Sequence, residues 1–231
     1  MKPKDSDKLK IPMPLYKTIT VSATTRVYIW QITESEAELA SGIFLTPPCQ
    51  SRLEGMKSEL HRRGFLSIRH LLALEGYQDN DLFYDTLGKP HLSDGTFISI
   101  THSYTFSGII VSSERAVGID IEKQREKILK IAYKFTPIEE YGSFSDPINL
   151  MRKLTVVWGA KESLYKINST LGLSFLQNIY IENFTMDKGE TTGVITLDGI
   201  VSSFKIHFLE LEGFTCAYAL QTDVQNNSET Q

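Results

Sequence analysis

Cysteine is nearly absent: Cys49 and Cys216 are the only two in 231 residues, and they show no metal-ligand spacing. They read as free thiols in a reducing compartment, so no disulfide framework is expected. A surplus of positive charge is missing too. Twenty-four Lys and Arg against 28 Asp and Glu leave a formal net charge of -4, which argues against a general nucleic-acid binder. Any phosphate ligand must therefore be met by a local basic cluster. No apolar run approaches the roughly 18 residues of a membrane span. The opening MKPKDSDKLK carries charge with no apolar core behind it, unlike a secretory signal. The expected setting is cytoplasmic, with neither membrane nor nucleic acid as partner.

What remains is an ordinary globular composition, 41% hydrophobic and 23% charged, in a chain long enough for one large domain or two small ones. Both polar ends have the composition of loosely held termini. TRVYIWQI (25–32) is rich in β-branched and aromatic residues and predicts a strand. Prolines in TPPCQ then precede SRLEGMKSELHRRGFLSIRHLLAL, which predicts one long helix. Within it Leu53, Met56, Leu60, Ile68 and Leu71 recur at helical spacing, and Gly64 in the gap predicts a close helix contact. TFISI, a loop through THSYTF, and SGIIVSS predict a hairpin. KILKIAYKFTPIEEY predicts a second helical stretch, and SDPINLMRKLTVVWGAKESLYKI a long helix capped by Asp146 or Ser145 with Pro147 in its first turn. NIYIENF, TTGVITLDG, SSFKIHFLELE and FTCAYALQ close the chain as strands. FISITHSYTFSGIIVS and FKIHFLELEGFTCAYALQ form a weak internal repeat, each following its half's main helix. Such symmetry predicts a ligand in the seam between two similar halves.

Two segments carry chemistry. In VGIDIE, Asp120 and Glu122 sit at i and i+2 and so face one side of a strand. A strand with one wet face gives the same alternation. The chemical alternative is a hard cation such as Mg2+, which takes oxygen ligands from one or two carboxylates plus substrate phosphates. In WGAKESLYK, Trp158, Glu162 and Lys166 fall at i, i+4 and i+8 along one helix face. A third carboxylate from a helix would complete the protein's side of such a site. Lys166, one turn on, would meet a phosphate oxygen or a leaving group gaining charge.

VGIDIE, then WGAKESLYK about forty residues on, preceded by LGKPHL and ISITHS, resembles the 4'-phosphopantetheinyl transferase superfamily, in particular its larger pseudo-dimeric, Sfp-like group. The resemblance implies an α+β fold of two similar subdomains, each a long helix packed on antiparallel strands, related by a pseudo-twofold axis. Their bounds would be 1–113 on the coenzyme A side and 114–231 carrying the Mg2+ and the catalytic helix. It implies a monomer that moves the phosphopantetheine arm of coenzyme A to a serine of an apo acyl or peptidyl carrier protein, releasing adenosine 3',5'-bisphosphate. Asp120, Glu122 and Glu162 would hold Mg2+, Glu162 would also act as general base, and Lys166 would neutralise the departing bisphosphate. Lys89 of GKP, Thr101 and His102 of ITHS, and Arg62 and Arg69 of the first helix would contact coenzyme A, with Arg63 and Lys57 as lesser candidates. Thr101 stands where the family often has serine, and His91 where an aromatic or aliphatic residue is commoner. Phe135 and Glu139 match a Phe-x-x-x-Glu element with a structural role. Lys123, Arg125, Lys127, Lys130 and Lys134 offer cations to an acidic carrier. Two rivals use the same residues: a non-catalytic coenzyme A or carrier-protein binding module, and a Mg2+-dependent phosphohydrolase with water as nucleophile.

Overall fold

The computed structural model describes residues 15–142, 146–170 and 172–222. The polar N-terminal stretch, Ser145 and nearly all of the TDVQNNSETQ tail lie outside the described residues. The architecture is α+β with antiparallel sheets. One sheet holds β1 (Leu15–Thr20), β2 (Thr25–Gln31), β5 (Phe97–Ser103) and β6 (Phe106–Ser112) in the order β1-β2-β6-β5. The other holds β7 (Val117–Lys123), β8 (Ile179–Ile181), β9 (Glu190–Leu197), β10 (Ile200–Leu211) and β11 (Phe214–Gln221) in the order β7-β11-β10-β9-β8. β3 (Leu82–Tyr84) and β4 (Pro90–Leu92) form a separate two-stranded ribbon.

Strand alternation assigns each side chain to a layer. On β2, Val27 and Ile29 point into a core shared with Ile119, Ile121, Cys216 and Tyr218, so the two sheets pack on each other there. Tyr28 and Trp30, one residue out of step, join Phe65, Ile68 and Leu72 of α3 (Glu59–Leu74) in a second core. A third core sets Val156, Val157, Ala160 and Leu164 of α5 (Pro147–Asn168) against Ile181, Ile206, Ala217 and Ala219. β6 and β11 are buried on both faces except at Gln221, which is why their sequences read as near-continuous small and apolar runs.

The sheets also meet edge to edge. Along β7 the backbone amides of Ile119 and Ile121 donate to the hydroxyls of Ser99 (3.2 Å) and Thr101 (3.0 Å) on β5. Side-chain hydroxyls thus supply acceptors to a strand edge that β11 pairs only on its other side.

Several local expectations change. The helix over 51–74 is two: α2 (Pro47–Gly55) and α3, parted at Met56–Ser58. Met56 takes an extended conformation after Gly55, and its carbonyl accepts from Arg62 Nη1 at 2.8 Å, which fixes the corner. Gly64 serves a different close approach from the one expected. A Cβ there would lie 2.8 Å from Cδ2 of His102, so the glycine makes room for a strand histidine rather than for a helix. The loop through THSYTF shrinks to the turn at Tyr104-Thr105, and Thr101 and His102 belong to β5. KILKIAYKFTPIEEY breaks into α4 (Lys127–Ile131) and two 3-10 turns, at Ala132–Lys134 and Ile138–Glu140. Pro137, which lacks an amide proton, lies between them. Asp146 caps α5 as expected, accepting from the amides of Ile148 and Asn149.

Candidate active site

β7 and α5 cross with almost no gap. A Cβ on Gly118 would fall 2.0 Å from the carbonyl oxygen of Ser163, so only glycine allows the two backbones to lie this close. The same strand face carries Asp120, and Ile119 and Ile121 point the other way into the core between the sheets. Asp120 is therefore turned to α5, with 6% of its surface exposed. Its Oδ1 accepts from Lys166 Nζ at 2.8 Å and from Thr101 Oγ1 at 3.3 Å; its Oδ2 is buried without a hydrogen-bond partner.

Glu162 and Glu122 lie close enough to Asp120 to feel its charge. Burial, then the Asp120 carboxylate, pushes the Glu162 carboxyl up to about 7, with Glu122 adding a smaller push and Lys166 pulling it back. The same two leading causes raise Glu122, against a hydrogen bond from Trp158. One buried carboxylate and two half-buried ones, with Asp120 raising the proton affinity of both glutamates, form a site suited to a cation. All the donors are oxygens, the set Mg2+ prefers, and Asp120 Oδ2 is an unpartnered acceptor within it. Among the described residues no three His, Cys, Asp or Glu side chains stand at ligating distances already. The ammonium of Lys166 supplies the counter-charge to Asp120.

Beside this cluster opens a cavity of about 460 Å³ between α3, β5, the Gly88–Pro90 turn and the last turns of α5. Lys166, Lys89, His102, His61, Arg52 and Arg69 line it, a concentration of cationic and imidazole groups in a chain with net negative charge. Burial, then the charges of His61 and Lys166, holds the His102 imidazole below its usual range. Lys89 Nζ donates to the carbonyl of Ile167 at 2.5 Å and caps α5, while burial lowers its proton affinity.

Thus the structure gathers Asp120, Glu122, Glu162 and Lys166 in one cluster, and Lys89, His102 and Arg69 around the adjoining cavity. Thr101 does not line that cavity; it ties β5 to β7 and to Asp120. Arg69 is committed to Asp79 Oδ1 at 2.9 Å, Phe65 O and Cys49 Sγ. Arg62 does not line the cavity; its Nε donates to both carboxylate oxygens of Glu36, at 2.9 and 2.8 Å. Arg63 Nη2 donates to Ile32 O. Sequence reasoning passed over Arg52 and His61. Nine residues apart on a continuous helix, they would fall on opposite faces; the break at Met56–Ser58 lets both line one cavity. Glu140, rather than Glu139, is the buried carboxylate after Phe135, paired with Lys161 at 2.8 Å.

A carboxylate trio beside a basic cavity has the charge arrangement that phosphate chemistry needs. Residues 116–219, just under half of the chain, match the family model of the 4'-phosphopantetheinyl transferase superfamily. The matched span includes all three carboxylates and Lys166. No curated protein matches the chain. Among the described residues no helix is long and apolar enough to cross a membrane.

Proposed function

We propose that this protein moves the phosphopantetheine arm of coenzyme A to a serine hydroxyl of an apo carrier protein, with Mg2+ and with release of adenosine 3',5'-bisphosphate. The observation that carries the proposal is the buried Asp120, one oxygen unpartnered, set against Glu162 and Lys166 at the edge of a basic cavity. Asp120, Glu122 and Glu162 would hold the ion. When bound, it would offset negative charge on the diphosphate oxygens as a Lewis acid.

The remaining roles fall to the chain. The cavity takes the adenosine bisphosphate end, with His102, Lys89, Arg52 and His61 as its cationic and hydrogen-bonding contacts. Glu162 accepts the serine proton, directly or through water, as the general base. The serine oxygen bonds to the β-phosphorus as the bond to the bisphosphate oxygen breaks, and Lys166 meets the charge gathering on that oxygen. The carrier docks on the far side of Glu122. A hollow of about 210 Å³ there, with Glu122 in its wall, sets Lys123, Arg125 and Lys127 around Ile128, Ile131 and Trp158, three cations to one carboxylate, which suits an acidic helix. Lys130 and Lys134 extend the same charge.

Residues 1–113 and 114–231 are proposed as two subdomains related by a pseudo-twofold axis, the smaller sheet with α3 matching the larger with α5. Two supports are that both repeat segments are hairpins, β5–β6 and β10–β11, and that each sheet carries one long helix on its outer face. With both halves in one chain the enzyme would act as a cytoplasmic monomer.

The test is intact-protein mass spectrometry of apo carrier proteins incubated with the enzyme, coenzyme A and Mg2+, with an EDTA control. The expected result is a metal-dependent gain of about 340 Da, one phosphopantetheine arm, lost in folded Asp120→Asn and Glu162→Gln variants. Full turnover in both variants refutes the assignment. Bisphosphate release without any carrier gain points to hydrolysis instead.

A further inference from the structure

We propose that Lys166 is a displaceable counter-ion: it neutralises Asp120 until a divalent cation arrives, then swings into the basic cavity as an anion-binding group. This rests on the reading of Asp120, Glu122 and Glu162 as a Mg2+ site. Lys166 Nζ sits 2.8 Å from Asp120 Oδ1 and 2.8 Å from the carbonyl oxygen of Ile119. Those are oxygens of the type a hard cation takes. Even an ion on the unpartnered Oδ2 would stand across the same carboxylate from the ammonium on Oδ1, close enough for direct like-charge repulsion.

The lysine has somewhere to go. Its side chain is 28% exposed, it already lines the cavity of about 460 Å³, and it sits in the last turn of α5 on a flexible four-carbon stem. Asp120 cannot follow it, because β7 is clamped to α5 at Gly118 and to β5 through Ser99 and Thr101. The cation and an anion in the cavity therefore help each other bind. The ion frees the ammonium that the anion needs, and by linkage the anion favours the state in which Asp120 is open to the ion.

Lysine acetylation with limiting acetic anhydride, read by peptide mass spectrometry, tests this on the intact wild-type protein with Mg2+ alone. Exposed Lys188 is the internal reference. Expected is a several-fold rise in Lys166 labelling on adding Mg2+, reversed when coenzyme A is added. Asp120→Asn should label strongly without metal and show no further change. Lys166 labelling that stays level or falls with Mg2+ overturns the proposal. Calorimetric titration with Mg2+ alone gives a second readout. Lys166→Met should bind the ion more tightly, by about 5- to 150-fold for couplings of ordinary size; equal or weaker binding overturns the proposal. Neither measurement uses a carrier protein, so the transfer reaction stands or falls separately on the carrier mass gain.

Discussion

Replacing Gly118 by alanine tests whether the contact between β7 and α5 sets the site. The new Cβ would lie 2.0 Å from the Ser163 carbonyl oxygen, 2.8 Å from its carbon and 3.1 Å from Cγ1 of Ile167. Reaching even a 3.0 Å separation from that oxygen requires strand and helix to part by about 1 Å, since both sides of the contact are backbone. The helix is held from moving. The Ser163 hydroxyl is within hydrogen-bond distance of Gly159 O (2.8 Å) and Ala217 O (3.0 Å), which ties α5 to β11. Overpacking of this kind costs about 1–3 kcal/mol or more. The alanine's gain from restricting the unfolded chain offsets only about 0.4–1 kcal/mol. A net loss of about 2 kcal/mol, with a urea slope of about 1–3 kcal/mol/M, lowers the unfolding midpoint by roughly 1 M. The same 1 Å shift separates Asp120 from Glu162 and Lys166, and a misplacement of that size costs about 100-fold in turnover. Urea unfolding followed by circular dichroism, and initial rates of carrier modification, read the two effects. Gly159→Ala is the control. Its Cβ would meet the Ala217 Cβ at 3.3 Å and Asp120 Oδ2 at 3.7 Å, no contact with backbone, and it gains about 1 kcal/mol of helix propensity, so as a control for stability its midpoint should barely change. If Gly118→Ala keeps both its midpoint and its turnover, the close approach does not position the site.

Three further perturbations have worked signs. Lys161 is fully buried, donating to Glu140 Oε1 at 2.8 Å and to the carbonyls of Phe175 and Ile179. Lys161→Met should cost about 3–5 kcal/mol by stranding Glu140, and Lys161→Met with Glu140→Leu should recover only part of it, because the Ile181 amide then loses Glu140 Oε2 and the Phe175 and Ile179 carbonyls stay unpaired; a single-variant loss under about 1 kcal/mol in urea counts against a buried ion pair. His102 has its proton affinity lowered in the fold, mainly by burial. Its contribution is present above the unfolded value near 6.5 and is lost as pH falls through 6.5 toward the folded value. His102→Gln should therefore lessen the loss of stability below about pH 6.5, the remaining slope being the balance of His207, also lowered, against Glu162 and Glu122, raised and of opposite sign; an unchanged profile contradicts the assignment. Finally, Arg52→Ala should weaken coenzyme A binding about tenfold or more, the size of one lost charge-assisted hydrogen bond, whereas Arg62→Ala should weaken it less, and only through the Met56–Ser58 corner that its Nη1 holds. Calorimetry showing the reverse order would move the phosphate contact back to the face of α3 that meets Glu36.

The layout of the site was legible where side-chain period and chemistry coincide. Asp120 and Glu122 announce themselves because two carboxylates alternate with isoleucines that a sheet interface needs. Glu162 and Lys166 do so because their i, i+4 spacing survives inside a long, well-capped helix. The strands of the C-terminal half were equally plain from their alternation and their Gly and Asp turns. What stayed hidden depends on backbone irregularity or on distant partners. The corner at Met56–Ser58 carries no proline, so the helical pattern runs across it and sends Arg52 and His61 to opposite faces. Glu139 and Glu140 are adjacent and chemically identical; only the 3-10 turn after Pro137 decides which one enters the core to meet Lys161. Short strands such as β3 and β4 offer too few residues for a period of two to register.

The glycines show most directly how sequence, packing and chemistry connect here. Gly118 and Gly64 look like interruptions in a strand and a helix, and each would weaken its element by roughly 0.5–1 kcal/mol relative to alanine. At Gly118 the loss allows β7 to lie against α5, so a strand carboxylate and a helix carboxylate converge without long side chains reaching between layers. At Gly64 it admits His102, held edge-on to His61 with ring centroids 5.8 Å apart. One glycine therefore sets the spacing of the carboxylates and the other the wall of the cavity, and Lys166 lies between the two. Moving that ammonium by the length of its own stem would link the proposed cation site to the proposed anion site while leaving both backbone contacts intact.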